Sequence, residues 1–494
     1  MYFVGIDLGS SSVKLSVFDA DKEQEICAVT TPDFEMPIEA LKFGWAEQNP
    51  EKWWQYVQDG FLKLKSKSID LKKVAAIGIA YQMHGLVITD ENLKPVRPSI
   101  IWCDSRAVEE GQKIYQAIGA QKCQEQILGS PGNFTASKLK WVKEHEPEIF
   151  EKVKYMMLPG DYIAAKLSRK AQTSTSGLSE AALWDFTNQK LAKDILDHMN
   201  ISDEVIPEVV PNFGIQAQIH PEVASELGLN LGVKITYRAG DQPNNALSLN
   251  VLNPGEIATT AGTSAVIYAV SDQDTYDANN RINTFLHVNN SAVNKRNGMM
   301  VCINGSGILY QWLRKLLSFD NLLDYDLLNK EASKAEPGCK GLLFHPFGNG
   351  VERIFNNQSA TSGISNLNFN IHDRSHMVRA ACEGIIFAMN YGFDVMKSLG
   401  VNGEVVRAGK SNLFLNPVFR EIFTSTTNTE LELYNTSGAE GAARGAAYGY
   451  GYFTDLKESF KSLKCIEHVE PSKELVVKYF DIYQNWKEQI NINA

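Results

Sequence analysis

Phe3-Val4-Gly5-Ile6-Asp7-Leu8-Gly9-Ser10-Ser11-Ser12-Val13-Lys14-Leu15-Ser16-Val17-Phe18 decides how the rest of the chain is read. An apolar run delivers an acid, Asp7, to a Gly/Ser turn, and Val13, Leu15 and Val17 then alternate along a second run. The pattern predicts strand, tight turn, strand. Gly9 lets the backbone bend where a side chain would collide. Ser10, Ser11 and Ser12 offer hydroxyls and closely spaced N–H groups that can form an anion-binding nest, and Lys14 adds a point charge. A carboxylate at the mouth of such a turn suits a metal held near phosphates. The same stretch, taken alone, also reads as a solvated hairpin, because short motifs match by chance.

Working outward, the bulk properties set bounds. A chain of 494 residues has room for roughly two to four domains. With 44% hydrophobic and 21% charged residues it can bury a large core. The net charge of −10 argues against a nucleic-acid surface but leaves room for a small anion at a local site. Seven cysteines at 27, 103, 123, 302, 339, 382 and 465 show no paired spacing, so reduced thiols are expected, not a disulfide framework or a zinc site. The first residues enter strand pattern without the layout of a signal peptide, and no apolar run reaches bilayer length. The expectation is a soluble cytoplasmic protein with no membrane or nucleic-acid partner.

Asn49 and Pro50 form a helix start, followed by Trp53, Val57, Phe61 and Leu64 at helical spacing. The preceding Trp45-Ala46-Glu47-Gln48 loop reads either as ligand-facing or as a packed aromatic with polar neighbours. Val74–Ala80 is a continuous apolar run, as in a strand buried on both faces, and it ends in Tyr81-Gln82-Met83-His84-Gly85. Ligands of α/β sheets collect at carboxyl ends of strands, which makes Gln82, Met83 and His84 candidate contacts. Ile100-Ile101-Trp102-Cys103-Asp104-Ser105-Arg106 is a second strand end, with an acid and a base two apart: either ligand contacts or a local ion pair. A helix is expected over Ser137–His145, a helix capped through Asp161, and a loop at Thr173–Gly177. A further strand runs from Ile235 into Gly240-Asp241-Gln242. Asp241 is either the N-cap of the following helix or a carboxylate set to take a proton.

Glu256–Tyr268 repeats the opening pattern around Gly262, Thr263 and Ser264, which predicts a duplicated architecture with a boundary in Asn250–Gly255 and domains at 1–250 and 251–494. Beyond it, Ser306 opens a helix carrying Gly307 and Gln311, and Gly348–Arg353 is a turn-rich loop. Met377–Leu399 is a long helix stopped by Gly400. Val405–Ala408 leads into a turn with Gly409 and Asn412. The small-residue helix from Gly438 to Ala447 permits close approach of a flat ligand or tight helix packing. The last forty residues read as solvated helix.

Seven stretches, in order, carry a resemblance: Asp7–Lys14, Gly44–Gln48, Gln82–Gly85, Trp102–Arg106, Gly240–Gln242, Ala261–Ser264 and Gly350–Arg353. Over nearly its whole length the chain resembles the FGGY family of carbohydrate kinases, and the Gln-Met-His-Gly run is typical of the xylulokinase branch. The resemblance implies an α/β fold of two actin-like, ribonuclease-H-like domains around a central catalytic cleft. It implies Asp7 holding Mg²⁺ through water. Ser10, Ser11, Ser12 and Lys14 would meet the transferred phosphoryl group of ATP, with Gly262, Thr263 and Ser264 opposite. Gly307 and Gln311 would border the nucleotide, and Gly409 and Asn412 the adenosine. Met83, His84, Asp104 and Arg106 would contact the sugar, and Asp241 would be the general base. The implied reaction is phosphorylation of D-xylulose at its C5 hydroxyl. Another sugar or polyol (ribulose, fuculose, gluconate, glycerol) and a non-catalytic binding relative are the alternatives; a homodimer is the implied assembly. Three places depart from the family pattern: Arg407-Ala408-Gly409-Lys410-Ser411 where glycines are frequent, Pro243-Asn244-Asn245 where residues are usually smaller, and Tyr81 where glycine is common.

Overall fold

The computed structural model describes residues 1–318, 322–349, 351–355, 358–490 and 492–493. Gly350, part of one of the family-like stretches, lies outside them.

The first half contains β1 (Tyr2–Leu8), β2 (Val13–Asp19), β3 (Gln24–Thr31), α1 (Pro50–Ser66), β4 (Val74–Tyr81), α2 (Thr135–His145), α3 (Pro159–Ser168), α4 (Thr175–Glu180), β5 (Phe213–Gln218), β6 (Lys234–Gly240) and α5 (Asp241–Ser248). Its sheet runs β5-β6-β4-β1-β2-β3. β1, β2 and β3 form an antiparallel meander, and β4 and β6 run parallel to β1. The second half contains β7 (Ile257–Ala261), β8 (Ala265–Ser271), β9 (Asn283–Leu286), β10 (Asn297–Ile303), α6 (Gly307–Leu316), α7 (Arg374–Ser398), β11 (Val405–Gly409), β12 (Glu430–Tyr434), α8 (Gly438–Tyr450), β13 (Cys465–Val469) and α9 (Lys473–Glu488). Its sheet runs β9-β10-β8-β7-β11-β12-β13. β7 is antiparallel to β8 and β8 to β10, while β11 is parallel to β7 and β12 to β11. The five-strand cores β3-β2-β1-β4-β6 and β10-β8-β7-β11-β12 therefore share one order and one set of directions. This is the two-domain, actin-like α/β architecture that the resemblance implies.

Local chemistry explains the elements. Asn49 Oδ1 accepts the Glu51 N–H at 2.9 Å and Pro50 starts α1, which buries Trp53, Val57, Phe61 and Leu64. Asp373 caps α7, so that helix begins three residues before the expected Met377, and it ends ahead of Gly400 at φ +90°. In β1 and β4 the side chains alternate. Val4, Ile6, Ile77 and Ile79 share a core with α1 and α3, whereas Phe3, Ala76 and Ala80 pack on Ala442, Ala443, Ala446 and Ala447 of α8. A Cβ at Gly5 would lie 1.8 Å from the Ala439 carbonyl oxygen, and one at Gly78 2.1 Å from that of Ala442. Those distances allow only backbone-to-backbone packing. The small residues of α8 serve helix packing, not a flat ligand. The halves thus exchange cover: α8 closes the first sheet, while Ala258, Val266 and Phe285 of the second sheet share a core with Leu139 and Leu178 of α2 and α4.

Two expectations are corrected. Thr173–Gly177 is not loop: a short strand, Gln172–Ser174, runs straight into α4, and Ser174 Oγ accepts the Gly177 N–H at 3.1 Å. The last forty residues are not solvated all round, since α9 buries Tyr479, Tyr483 and Trp486, and the Trp486 indole donates to the Phe344 carbonyl at 2.8 Å. All seven cysteines are free. Among the described residues no helix is long and apolar enough to cross a membrane.

Candidate active site

The carboxyl ends of β1 and β6 deliver two acids to one place. Asp7 stands opposite Lys14 in the β1–β2 register. Burial raises the Asp7 pKa, and Lys14 opposes that shift. Gly240, not Asp241, occupies the N-cap of α5, so Asp241 is the first helical residue and makes no side-chain cap. The Gln242 N–H donates to its carboxylate, yet burial and the charge of Asp7 win and push its pKa up to about 7. A Cβ on Gly438 would come within 2.5 Å of Asp7 Oδ2, so the amino end of α8 abuts this acid pair. Asn244 Nδ2 donates to the Gly438 carbonyl at 2.9 Å, and Tyr237 donates its hydroxyl to Asn244 Oδ1 at 3.1 Å. The bulk at Asn244, a departure from the family pattern, is thus the bracket between α5 and α8.

The end of β4 forms the adjoining wall. Tyr81 is fully buried, and a Cβ on Gly160 would lie 2.0 Å from its ring, so the ring packs under the sheet end. Met83 packs on Gly240, where a Cβ would meet its Cγ at 2.5 Å. His84 adopts φ +59°, a left-handed conformation, with Nδ1 3.0 Å from the Glu180 carbonyl oxygen. A carbonyl only accepts, so Nδ1 carries the proton and Nε2 is left as an acceptor. The ring lies between Phe134 and Phe285, with centroids 4.4 and 5.3 Å away. Burial, then the nearby Lys138 and Arg353 cations, drive its pKa to about 3 and keep it neutral. Glu180, which sequence reasoning missed, is buried beside Gly240 and its pKa is raised well above the usual carboxylate range by burial.

Asp104 and Arg106 are brought together with each other. Both side chains are buried and their charged groups meet at 2.7 Å. Asp104 also accepts the Ala46 N–H at 2.5 Å. Arg106 contacts Glu47 at 2.6 Å and lies 3.7 Å above the Trp45 ring. The acid and base two apart form the local ion pair, and Trp45 and Glu47 are packed partners of it. Gln48 points elsewhere, donating its amide to the Ser10 carbonyl at 2.7 Å and bearing on the serine turn from behind.

The two Gly/Ser/Thr turns form the remaining wall. The first is closed by the Gly9 N–H donating to the Ser12 carbonyl at 3.0 Å, and Ser10, Ser11 and Ser12 each keep exposed surface. In the second, the Gly307 and Ile308 N–H groups donate to the Gly262 and Thr263 carbonyls at 2.9 and 3.1 Å. A Cβ on Gly307 would lie 2.2 Å from the Gly262 carbonyl oxygen, which explains the glycine. Burial, then the Glu352 charge, pushes the Cys302 thiol pKa up to about 11; Ser264 hydrogen-bonds that thiol and Asp241 adds a smaller upward push, so turn and acid act on one thiol. Beside it opens a cavity of about 350 Å³, lined by Gly262, Thr263, Gly307, Gln311 and Asn412, within the size range of small-molecule sites. Tyr310, Tyr325, Asn329 and Asn416 line it too and were not singled out by sequence; Tyr310 donates to Asn329 at 2.8 Å. Ser264 and Gly409 are not in the lining. Arg407 and Lys410 pair with Glu432 and Glu467 at 3.1 and 3.0 Å, so the longer side chains of that turn are directed to ion pairs and not to the cavity.

Residues 2–248 match the N-terminal domain of the FGGY family of carbohydrate kinases, and residues 257–451 match its C-terminal domain. The xylulose kinase of Bacillus subtilis is 28% identical, with 98% of this chain and 96% of the relative covered. Among solved structures, a xyloylose kinase from Brucella ovis superposes with a TM-score of 0.90 at 21% identity, covering 99% and 98% of the two chains. A gluconate kinase from Lactobacillus acidophilus does so at 0.88 and 23%, covering 99% and 97%. A meander-turn pair repeated in two sheets, the acids at the strand ends and these matches along both halves establish that the chain belongs to the FGGY family of carbohydrate kinases.

Proposed function

We propose that this kinase transfers the γ-phosphoryl group of ATP to the C5 hydroxyl of D-xylulose, with Asp241 as general base. The observation that carries this reading is a carboxylate at a strand end whose pKa is raised to about 7 by burial and by Asp7. A general base works best with its pKa near the operating pH. His84 Nε2 accepts a sugar hydroxyl and Met83 packs against the carbon skeleton, while Asp104 and Arg106 support the pocket from behind.

The acid pair fits Mg²⁺. That ion takes one or two carboxylates together with water and substrate phosphates. Asp7 and Asp241 repel one another with Lys14 the cation facing Asp7. Among the described residues, the one group of three or more close His, Cys, Asp or Glu ligands lies elsewhere, at Glu110, Glu144 and His145. Held by Asp7, Mg²⁺ would supply charge neutralisation on the triphosphate. The chain's own part is positioning: Ser10, Ser11, Ser12 and Lys14 face the transferred group, and Gly262, Thr263 and Ser264 hold the phosphates from the other side. Gly307, Gln311 and Asn412 receive the nucleoside, with Gly409 at the outer edge through its backbone. Phosphoryl transfer asks a protein mainly for such placement. We assign the enzyme to the cytoplasm, as a homodimer.

D-xylulose is favoured because relatives matched over nearly the whole chain are named xylulose kinases. Gluconate is the second reading, from the gluconate kinase of closely similar fold. ADP release measured across D-xylulose, D-ribulose, fuculose, gluconate and glycerol tests both, with the highest kcat/KM expected on D-xylulose. A preference for gluconate would establish the second reading; nucleotide binding without turnover on any acceptor would make the protein a binding relative.

A further inference from the structure

Lys138 closes the first turn of α2 with no exposed surface. Lysine is almost never fully buried without a reason. Its Nζ donates to the His84 carbonyl at 2.8 Å and to the Ile101 carbonyl at 2.9 Å. These carbonyls belong to the ends of two different strand-end segments. Removing the ammonium would leave the buried His84 carbonyl without its donor and the Ile101 carbonyl with the Asp104 N–H alone, at 3.2 Å. It would also release His84, whose left-handed backbone is held by few other contacts: the Nδ1 bond to Glu180 and the packing of its ring on Phe134 and Phe285.

We propose that Lys138 is a positioning residue for the sugar acceptor, tying His84 to the Ile101 segment so that the imidazole Nε2 stays aimed at a substrate hydroxyl. The inference rests on the reading of His84 as a sugar contact. Two features suit lysine to this role. Its stem spans from α2 to both carbonyls, and its charge is one of the cations that keep His84 neutral and so keep Nε2 an acceptor. Burial pushes the Lys138 amine down to about 7, against the opposing pull of Asp104 and Cys103 and with the help of Arg106. On either side of that value the amine retains the two N–H groups that the two carbonyls need.

The test compares Lys138→Met with His84→Ala, each checked for a wild-type fold by circular dichroism and thermal melting. Lys138→Met keeps the apolar stem and removes the donors. It is expected to raise the KM for the sugar roughly 10- to 100-fold, with kcat less affected and the KM for ATP unchanged. In the same variant the His84 imidazole, followed by NMR, is expected to titrate at a higher pH because a neighbouring cation is gone. Lys138→Gln, with one amide for two carbonyls, is expected to fall between and serves if methionine costs the fold. A wild-type sugar KM in either folded variant overturns the proposal, provided His84→Ala raises that KM. A raised KM with an unmoved His84 titration overturns it as well, since the loss is then general loosening. A wild-type sugar KM in His84→Ala instead removes the reading of His84 as a sugar contact, and the proposal with it.

Discussion

The two sheets present the same turn at the same place, and only one of them is charged. In register, Asp7 pairs with Lys14 one step before the first turn, and Thr260 pairs with Val266 one step before the second. The next parallel strand ends differ likewise. β6 runs directly into Asp241 at the start of α5, whereas after β12 the chain begins α8 with Ser437 as cap and Gly438 first. Both acids of the site, and the lysine beside them, come from the first half. Around its own turn the second half offers N–H groups, hydroxyls and a cavity, and its nearby cation, Arg353, acts on His84 and not on the acids. A repeated scaffold makes two mouths; placing the charge on one lets the other accept the body of a polyanion without repelling it, because like charges a few Å apart cost kilocalories even when partly screened.

Removing the base is the strongest way to break the comparison. Asp241→Asn keeps shape and loses the acceptor, and kcat is expected to fall roughly 10²–10⁴-fold while ATP binding, read by calorimetry, persists. Near-normal turnover would take Asp241 out of the mechanism. Asp7→Ala comes next. Half-maximal activity is expected to need about 10- to 100-fold more Mg²⁺; an unaltered Mg²⁺ titration would count against a metal role for Asp7. Third, charge can be moved to the uncharged turn. Thr260→Asp puts an acid at the counterpart of Asp7 and is expected to raise the KM for ATP about tenfold, equivalent to about 1.4 kcal/mol. An unchanged KM would mean that the absence of acid there is incidental.

What was legible in the chain follows from what leaves a local trace. The turn at Gly9, the α1 cap at Asn49 and Pro50, and the apolar runs at β4 and β6 each depend on neighbours in sequence, and each is where period and capping put it. The duplication was legible because the Gly/Ser/Thr turn recurs. Contacts between distant segments were not. The small residues of α8 suit a ligand or a helix equally until Gly5 and Gly78 are seen against it. Asp104 and Arg106 are two apart in either reading, and only the burial of their side chains against each other decides for the ion pair. Glu180, Lys138 and Asn329 are single polar residues within helices, and nothing in their surroundings predicts that two are buried and one lines a cavity. The Ser/Thr run before Glu180 suggested loop because serine and threonine favour turns as much as caps; the Ser174 bond to Gly177 makes it a helix start.

The smallest expected effect sharpens the comparison most, since it asks whether the two acids act on one another. Asp241 accepts a proton only when ionised. With its pKa at about 7, kcat/KM for the sugar is expected to rise with pH through that value and to fall about tenfold per unit below it. Two causes raise that pKa, burial first and the Asp7 charge second. Asp7→Asn removes the second and leaves the first, so the acid limb is expected to move to lower pH without reaching the value of about 4 typical of a free aspartate. The corresponding change beside the uncharged turn, Thr260→Val, is expected to leave the limb where it is. A limb that stays put in Asp7→Asn would mean that the acids are electrostatically independent and that burial alone tunes the base. A limb that moves in both variants would mean that the turns are coupled through the cleft and that the division of charge between the halves is not what sets the base.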